Sequence, residues 1–266
     1  MFTSNPFATL SALSPAVMQT YVIAMIVLVA AGTIFEMLHK GSAKYFFANA
    51  RRRNGRQVGG GELVSIAVQT AVVDVLASGE FCNPRRRVAH LLGMYGFVLY
   101  LLATIVMVFN ASPAPVWPQL WWLGGLMVCL GGYWFWFFIR VDVAAEGHSP
   151  LRFVRADLFI VSLVGSVTLA LIWAAAGGGT GVLFGLYILG TTILFGSVPW
   201  SKFAHMFFKP AAAFEKRVCV ADGTAENLPT QTRDDPEQQK RHSMELLREA
   251  PMEMGLGIKR EAPRHY

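Results

Sequence analysis

Two histidines, His90 and His205, are the side chains best placed to do chemistry within the apolar body of this chain. His90 follows Arg87 by three residues, about 5 Å of helix rise from a charged cluster. His205 lies between Lys202 and Lys209 at the end of an apolar run. Two neutral imidazoles facing each other across a helix bundle form an axial pair for haem iron. Gly93 and Gly96 follow His90 at steps of three and offer a low ridge where a flat macrocycle can approach. Ser197 and Ser201 precede His205 at steps of four, on one helix face. Arg85–Arg87, Arg152 and Lys202 supply cations for haem propionates. The competing reading is two ordinary histidines at headgroup level, and residue types alone leave both open.

Other ionisable groups are fewer and weaker. Glu36 and His39 lie three apart at the end of the first apolar run. They suit either the headgroup of a quinone or a pair of side chains reaching for the interface. His148 sits in a Glu-Gly-His-Ser loop, Asp157 opens a helix where the dipole favours it, and His242 and His265 fall in the tail. Cys82, Cys129 and Cys219 are far apart and form no CxxC, so a cysteine-ligated cluster or zinc site is unsupported. No GxGxxG, P-loop, HExxH or GxSxG is present, nor the HxxxH boxes of membrane di-iron enzymes.

The elements that must position these groups follow from composition. Of 266 residues, 54% are apolar and 15% charged, where a globular protein carries about a quarter charged. That ratio excludes a soluble enzyme of this size and a nucleic-acid module. A helix crosses about 30 Å of hydrocarbon with roughly twenty apolar residues. Five runs qualify, at Ala16–Leu38, Val88–Phe109, Gln119–Ile139, Asp157–Ala176 and Val182–His205. The expected fold is all-α, a polytopic five-helix membrane bundle. Met1–Ala30 lacks the basic opening of a signal peptide, so the first run is expected to remain. All 23 Lys and Arg avoid the amino terminus, Asn110–Pro118 and the turn Gly177–Gly181. The positive-inside rule then places the amino terminus outside and the carboxyl terminus inside.

Two segments stand apart from the spans. At about 62–80, Ser65 and Gln69, then Thr70, Asp74 and Ser78, draw a polar stripe at steps of four. Arg51–Arg53 and Arg85–Arg87 flank it, so it is expected to lie flat on the cytoplasmic surface. From Glu215 to Tyr266 there are nine basic and ten acidic residues with four prolines. Residues 1–210 therefore read as the membrane domain, and 211–266 as a cytoplasmic tail, disordered or ordered by a partner, with one short helix allowed at Pro236–Ala250. The basic inner face suits anionic lipid headgroups or an acidic soluble partner.

The motifs at the two histidines resemble a known family. Arg87-Val88-Ala89-His90-Leu91-Leu92-Gly93-Met94-Tyr95-Gly96-Phe97 is similar to the opening of helix two in cytochrome b membrane subunits of the nitrate reductase gamma type. Pro199-Trp200-Ser201-Lys202-Phe203-Ala204-His205 resembles the closing of their helix five. Within that superfamily the chain looks most like membrane anchors of adenylylsulfate reductase and the membrane half of the quinone-interacting membrane-bound oxidoreductase. The likeness covers about Ala16–Pro210. It implies haem b on His90 and His205, quinone as substrate, and cytoplasmic redox subunits as partners. In two-haem members, histidines stand where this chain has Tyr100 and Tyr187, so the resemblance implies at most one haem, on the inner side. The two tyrosines then line a cavity, empty or quinone-filled, or simply pack with satisfied hydroxyls.

The function expected from this reading is a membrane anchor and electron-transfer subunit linking a cytoplasmic enzyme, such as adenylylsulfate reductase, to the quinone pool. Any sulfur chemistry would belong to the partner. The alternative is a haem-free anchor that only recruits that partner. A small-solute transporter is disfavoured by the lack of mid-membrane charges and of matched broken helices.

Overall fold

The computed structural model describes residues 2–40, 48, 55–79, 81, 83–110, 112–140, 147, 149, 151–201 and 205–224; of Lys40, His205 and Phe207 it describes the backbone alone. Among these residues every regular element is helical and none is a strand. In chain order they are α1 Pro15–Lys40, α2 Gly60–Gln69, α3 Pro84–Phe109, α4 Val116–Trp134, α5 Leu158–Ala175, α6 Val182–Gly196 and α7 His205–Ala221. Two π-helical stretches continue α2 and α4, at Thr70–Leu76 and Phe135–Ile139.

Four helical stretches, 15–39, 84–109, 116–139 and 155–175, are long and apolar enough to span a membrane, which gives the chain the character of a multi-pass membrane protein. The fifth run departs from expectation. It does not form one helix to His205: α6 has fifteen residues and stops at Gly196, about 22 Å of rise. Pro199 then sits in a 3-10 turn at Val198–Trp200, and a separate helix starts at His205. Proline lacks the N–H a helix interior needs and biases the residue before it toward extended backbone. Ser197 and Ser201 therefore do not share a helix face with His205. The boundary expected at residue 210 also falls inside α7, which runs through Pro210 to Ala221.

Local sequence explains the other boundaries. Pro15 opens α1 and Pro84 opens α3, where a missing N–H costs nothing. Asn83 caps α3 by accepting from the Arg85 amide at 2.9 Å. Gly177, Gly178 and Gly179 all take positive φ, at 95°, 76° and 83°, a run that side chains with a Cβ resist. That turn makes α5 and α6 antiparallel neighbours.

The bundle centres on α4. Gly124 and Gly131, seven apart, meet α3, where an added Cβ would come within 2.7 Å of the Gly96 and Ala89 carbonyl oxygens. Gly125 faces Leu171 and Gly132 faces Val164, both on α5. Two glycine pairs thus let one helix approach two neighbours closely, the small-residue packing that serves where no hydrophobic effect drives helices together. The core between them holds Trp121 and Trp173 with Val128, Val167 and Ala170, all nearly inaccessible. By contrast α1 has only 17% of its spanning window buried, against 39–44% for the other three spans.

The segment expected at 62–80 is helical over α2 and the first π stretch. Its polar stripe turns partly inward: Thr70, Asp74 and Ser78 face protein, while Ser65 and Gln69 are exposed. Val64, Val68, Val72 and Leu76 form an exposed apolar stripe at steps of four. The tail helix expected at Pro236–Ala250 lies outside the described residues.

Candidate functional site

His90 sits in the second turn of α3, half-buried, at a junction built by three elements. Its Nδ1 is 3.0 Å from the Ser78 Oγ, and the Phe81 ring lies 4.8 Å away at a tilt of 42°. Ser78 is fully buried and takes a φ of +49°, a left-handed conformation costing a non-glycine residue about 1–2 kcal/mol. It terminates the π stretch. The surrounding caps come from α3: Arg87 Nε donates to the Ala77 carbonyl at 2.8 Å, and the Tyr95 hydroxyl to the Leu76 carbonyl at 2.8 Å. Three α3 side chains, Arg87, His90 and Tyr95, therefore fasten the end of the preceding helix.

The other arm of the junction is α7. Lys209, one turn after His205, places its Nζ 5.5 Å from the Phe81 ring centre. Phe81 is thus shared between His90 and the first turns of α7. Farther along, Arg217 grips Asp74 of the π stretch with two hydrogen bonds, Nε to Oδ2 at 2.7 Å and a terminal nitrogen to Oδ1 at 3.0 Å. The Arg217 guanidinium holds the Asp74 carboxyl below the ordinary aspartate range, and the carboxylate raises the guanidinium in turn. The α7 end is tied as well, since the Arg56 amide donates to the Asp222 carbonyl at 2.9 Å.

The expected site residues divide into those the structure gathers and those it separates. His90 and Lys209 of α7 both lie against the Phe81 ring. Arg87 points its Nε at a backbone carbonyl, and the side chains of Lys202 and His205 lie outside the described residues. Gly93 has open space where a Cβ would stand, as an approaching planar group needs. Gly96 does not: it is filled by α4, with Met127 Cβ and Gly124 O within 2.8 Å of the Cβ position. The expected ridge is therefore one glycine wide. Glu36 is buried near the end of α1, and His39 is exposed with its ring stacked on Phe35 at 5.5 Å. Neither lines the cavity between α1 and the helices α3, α5 and α6.

Tyr100 and Tyr187 do come together. Both are buried, and the Tyr100 hydroxyl donates to that of Tyr187 at 3.3 Å. Trp121 stacks on Tyr100 at 5.2 Å and Trp173 on Tyr187 at 5.8 Å. The pair lines a cavity of about 510 Å³ between α1 and the α3, α5 and α6 helices. The two tyrosines thus pack against aromatic rings and also line the cavity.

A second junction was not anticipated. Arg140, after the second π stretch, bonds Asp157 at 2.6 Å, lies 4.0 Å over the Trp136 ring and donates to the Arg152 carbonyl. The Asp157 carboxylate also accepts from the Val154 amide at 3.0 Å. Asp157 is thus the anchor of a largely buried ion pair as well as a residue at a helix start. The sequence signal was available: Arg140 is the first charge after a long apolar run. Among the described residues no group of three or more His, Cys, Asp or Glu could hold a metal ion. Comparison of the chain with family models, curated proteins and solved structures finds no match in any of the three.

Proposed function

We propose that this chain is the membrane anchor and electron-transfer subunit of a redox complex, with one b-type haem on His90 and His205 near the inner face. The observation that carries the reading is the His90–Ser78 contact. In the tautomer in which Nδ1 donates to the Ser78 hydroxyl the lone pair is on Nε2, and such a partner at Nδ1 is how axial and metal-bound histidines are oriented. Ser78 adopts left-handed backbone in holding that position. Open space at Gly93 fits a planar group beside the ring; the packing at Gly96 limits it to that one side. A haem there supplies reversible one-electron chemistry.

The chain's own residues do the rest. Five crossings, with α6 as the short fifth, hold the junction at the inner surface of a bacterial or archaeal cytoplasmic membrane. The α2–α7 layer and the basic loops present the dock for a cytoplasmic enzyme. An adenylylsulfate reductase is the partner that the sequence resemblance suggests, and quinone is the membrane-soluble one. The haem-free anchor remains as second reading on a specific observation: Arg87, His90 and Tyr95 together cap the π stretch, a structural task sufficient in itself.

A dithionite-reduced minus oxidised spectrum of the purified chain tests both. One bis-histidine b haem per chain is expected, lost in His90→Ala and in His205→Ala. Two haems per chain would overturn the single-site reading. No haem, after expression with haem supplied, would leave the passive anchor.

A further inference from the structure

We infer that the cavity between α1 and the rest of the bundle seats one acyl chain of an inner-leaflet glycerophospholipid. The ester carbonyl of that chain accepts from the Thr33 hydroxyl, and the headgroup stays outside, at the basic face. The site uses none of the haem-ligand residues and stands independently of the redox reading.

The way α1 is attached makes the space. Toward its amino-terminal end the Tyr21 hydroxyl donates to the Ile188 carbonyl of α6 at 3.1 Å. Toward the other end Gly32 lies against the turn after α6, where an added Cβ would stand 3.0 Å from the Val198 Cβ. The α1 wall of the cavity runs from Met18 to Ile34, past both attachments. Ile26 and Ile34 line it and are still 53% and 57% exposed. The cavity therefore opens sideways, onto the surface that a spanning helix presents to the bilayer, and what enters from there is lipid.

Polarity decides which part of a lipid enters. No Lys, Arg, Asp, Glu or His appears among the described residues of the wall, so a charged headgroup would be costly inside and a hydrocarbon chain would not. The hydroxyls of the wall are spent on the protein itself. Tyr100 donates to Tyr187, whose hydroxyl also bonds Thr191. Thr104, Thr191 and Ser166 donate to carbonyls three or four residues earlier. Thr33 is the exception. Its Oγ1 is inaccessible to solvent and has no hydrogen-bond partner among the described residues, although a helical threonine can return its proton to the carbonyl of the fourth residue before it. A single donor at one end of an apolar wall fits a hydrocarbon chain that begins in a single carbonyl. A quinone ring, with carbonyls on opposite edges, would leave the second without a donor.

The height agrees. Thr33 lies seven residues before the end of α1 at Lys40, about 10 Å of rise, and the positive-inside rule turns that end to the cytoplasm. One leaflet of hydrocarbon is about 15 Å deep. A chain that begins at Thr33 therefore reaches about the level of Ile23, ten residues back, within the span of the wall.

The test titrates the purified full chain in detergent with dioleoyl phosphatidylglycerol and counts bound lipid by native mass spectrometry. One tightly bound lipid per chain is expected, with a rise in melting temperature on binding. Val29→Trp, which fills the cavity from the α1 wall, should weaken binding at least tenfold. Leu130→Trp, on an exposed face of α4 outside the cavity, should leave it within twofold. The dialkyl ether analogue, which lacks the ester carbonyl, should bind wild type about 3- to 10-fold more weakly than the ester. In Thr33→Val the two lipids should bind alike. An ester preference absent from wild type, or unchanged in Thr33→Val, would overturn the placement of the carbonyl. Many equivalent lipids with no tight one, or wild-type affinity in Val29→Trp, would overturn the site. Displacement of the lipid by equimolar decylubiquinone would overturn the occupant in favour of a quinone.

Discussion

At residue scale the pair Gly93 and Gly96 shows how two identical residues three apart come to do different things. Gly96 lies under α4, where an added Cβ would meet backbone atoms of Gly124 and Val128 within 2.9 Å. Backbone cannot rotate out of the way as a side-chain end can, so a larger residue must push two helices apart. Gly93 has no neighbour at the same distance. Gly96→Leu should therefore destabilise the bundle by about 1–3 kcal/mol or more, read as a drop in detergent melting temperature. Gly93→Leu should leave the melting temperature within error yet lower haem content, if a planar group approaches there. A comparable loss of stability in both would remove the distinction. Ser78 is the converse case: Gly79 follows it, yet the side-chain-bearing residue takes the left-handed position. The placement makes sense once its Oγ is seen against His90.

At the scale of elements, the long spans were legible because length and continuous hydropathy are properties of the chain itself. Ala16–Leu38 and Val88–Phe109 sit within α1 and α3. The fifth span was not, because hydropathy continues through Val198-Pro199-Trp200 while the backbone does not. Helicity at 62–80 was legible from polar residues at steps of four and holds as far as Leu76, but the direction of the polar stripe depends on a partner more than a hundred residues away. Arg217 draws Asp74 inward, and α7 itself was taken for tail. The glycine pairs 124–125 and 131–132 were visible as text but carry meaning only when two neighbouring helices are known. Of the site, Ser78 was visible in the sequence only as the end of a polar stripe, and its contact with His90, like that of Phe81, depends on how the chain turns between the π stretch and α3; the Tyr100–Tyr187 hydrogen bond joins residues 87 apart that no local pattern links.

The Asp74–Arg217 pair carries a pH dependence. Its side chains are 16% and 27% exposed, so the pair is partly shielded and its two charge-assisted bonds contribute about 1–2 kcal/mol to α7 docking. The Asp74 pKa is lowered in the folded state. The stabilisation is therefore complete above about pH 5 and fades as pH falls through and below the ordinary aspartate value of about 3.9. Asp74→Asn should lower the melting temperature at pH 7, and the gap to wild type should close at the lowest pH where both stay folded. A gap independent of pH would mean the pair contributes packing alone.

At the scale of the whole molecule, the number of crossings sets which side each end faces. Five crossings put the ends on opposite sides, and four put them together. A reporter that fluoresces only in the cytoplasm should be bright on the carboxyl terminus and dark on the amino terminus. Brightness at both would mean that α6, at fifteen residues, turns back without crossing. The asymmetry within the bundle is equally global: α4 makes close glycine contacts with α3 and α5, while α1 borders the cavity and is the least buried of the four spans.

One small contact has a consequence for how the chain is assembled. Thr9 Oγ accepts from the Gly179 amide at 2.8 Å, across 170 residues of sequence, and Asn5 reaches the Met107 carbonyl at 2.9 Å. Residues at the start of the sequence thus find their partners only once α3 and the turn between α5 and α6 have been made. Closing a loop of that length precedes any gain from the contact, and long-range closures are slow. During synthesis the Asn5 contact becomes available after α3 and the Thr9 contact only after α5 and the glycine turn. Capture of the amino-terminal segment by the glycine turn therefore follows the synthesis of α3, α4 and α5 and precedes that of α6 and α7.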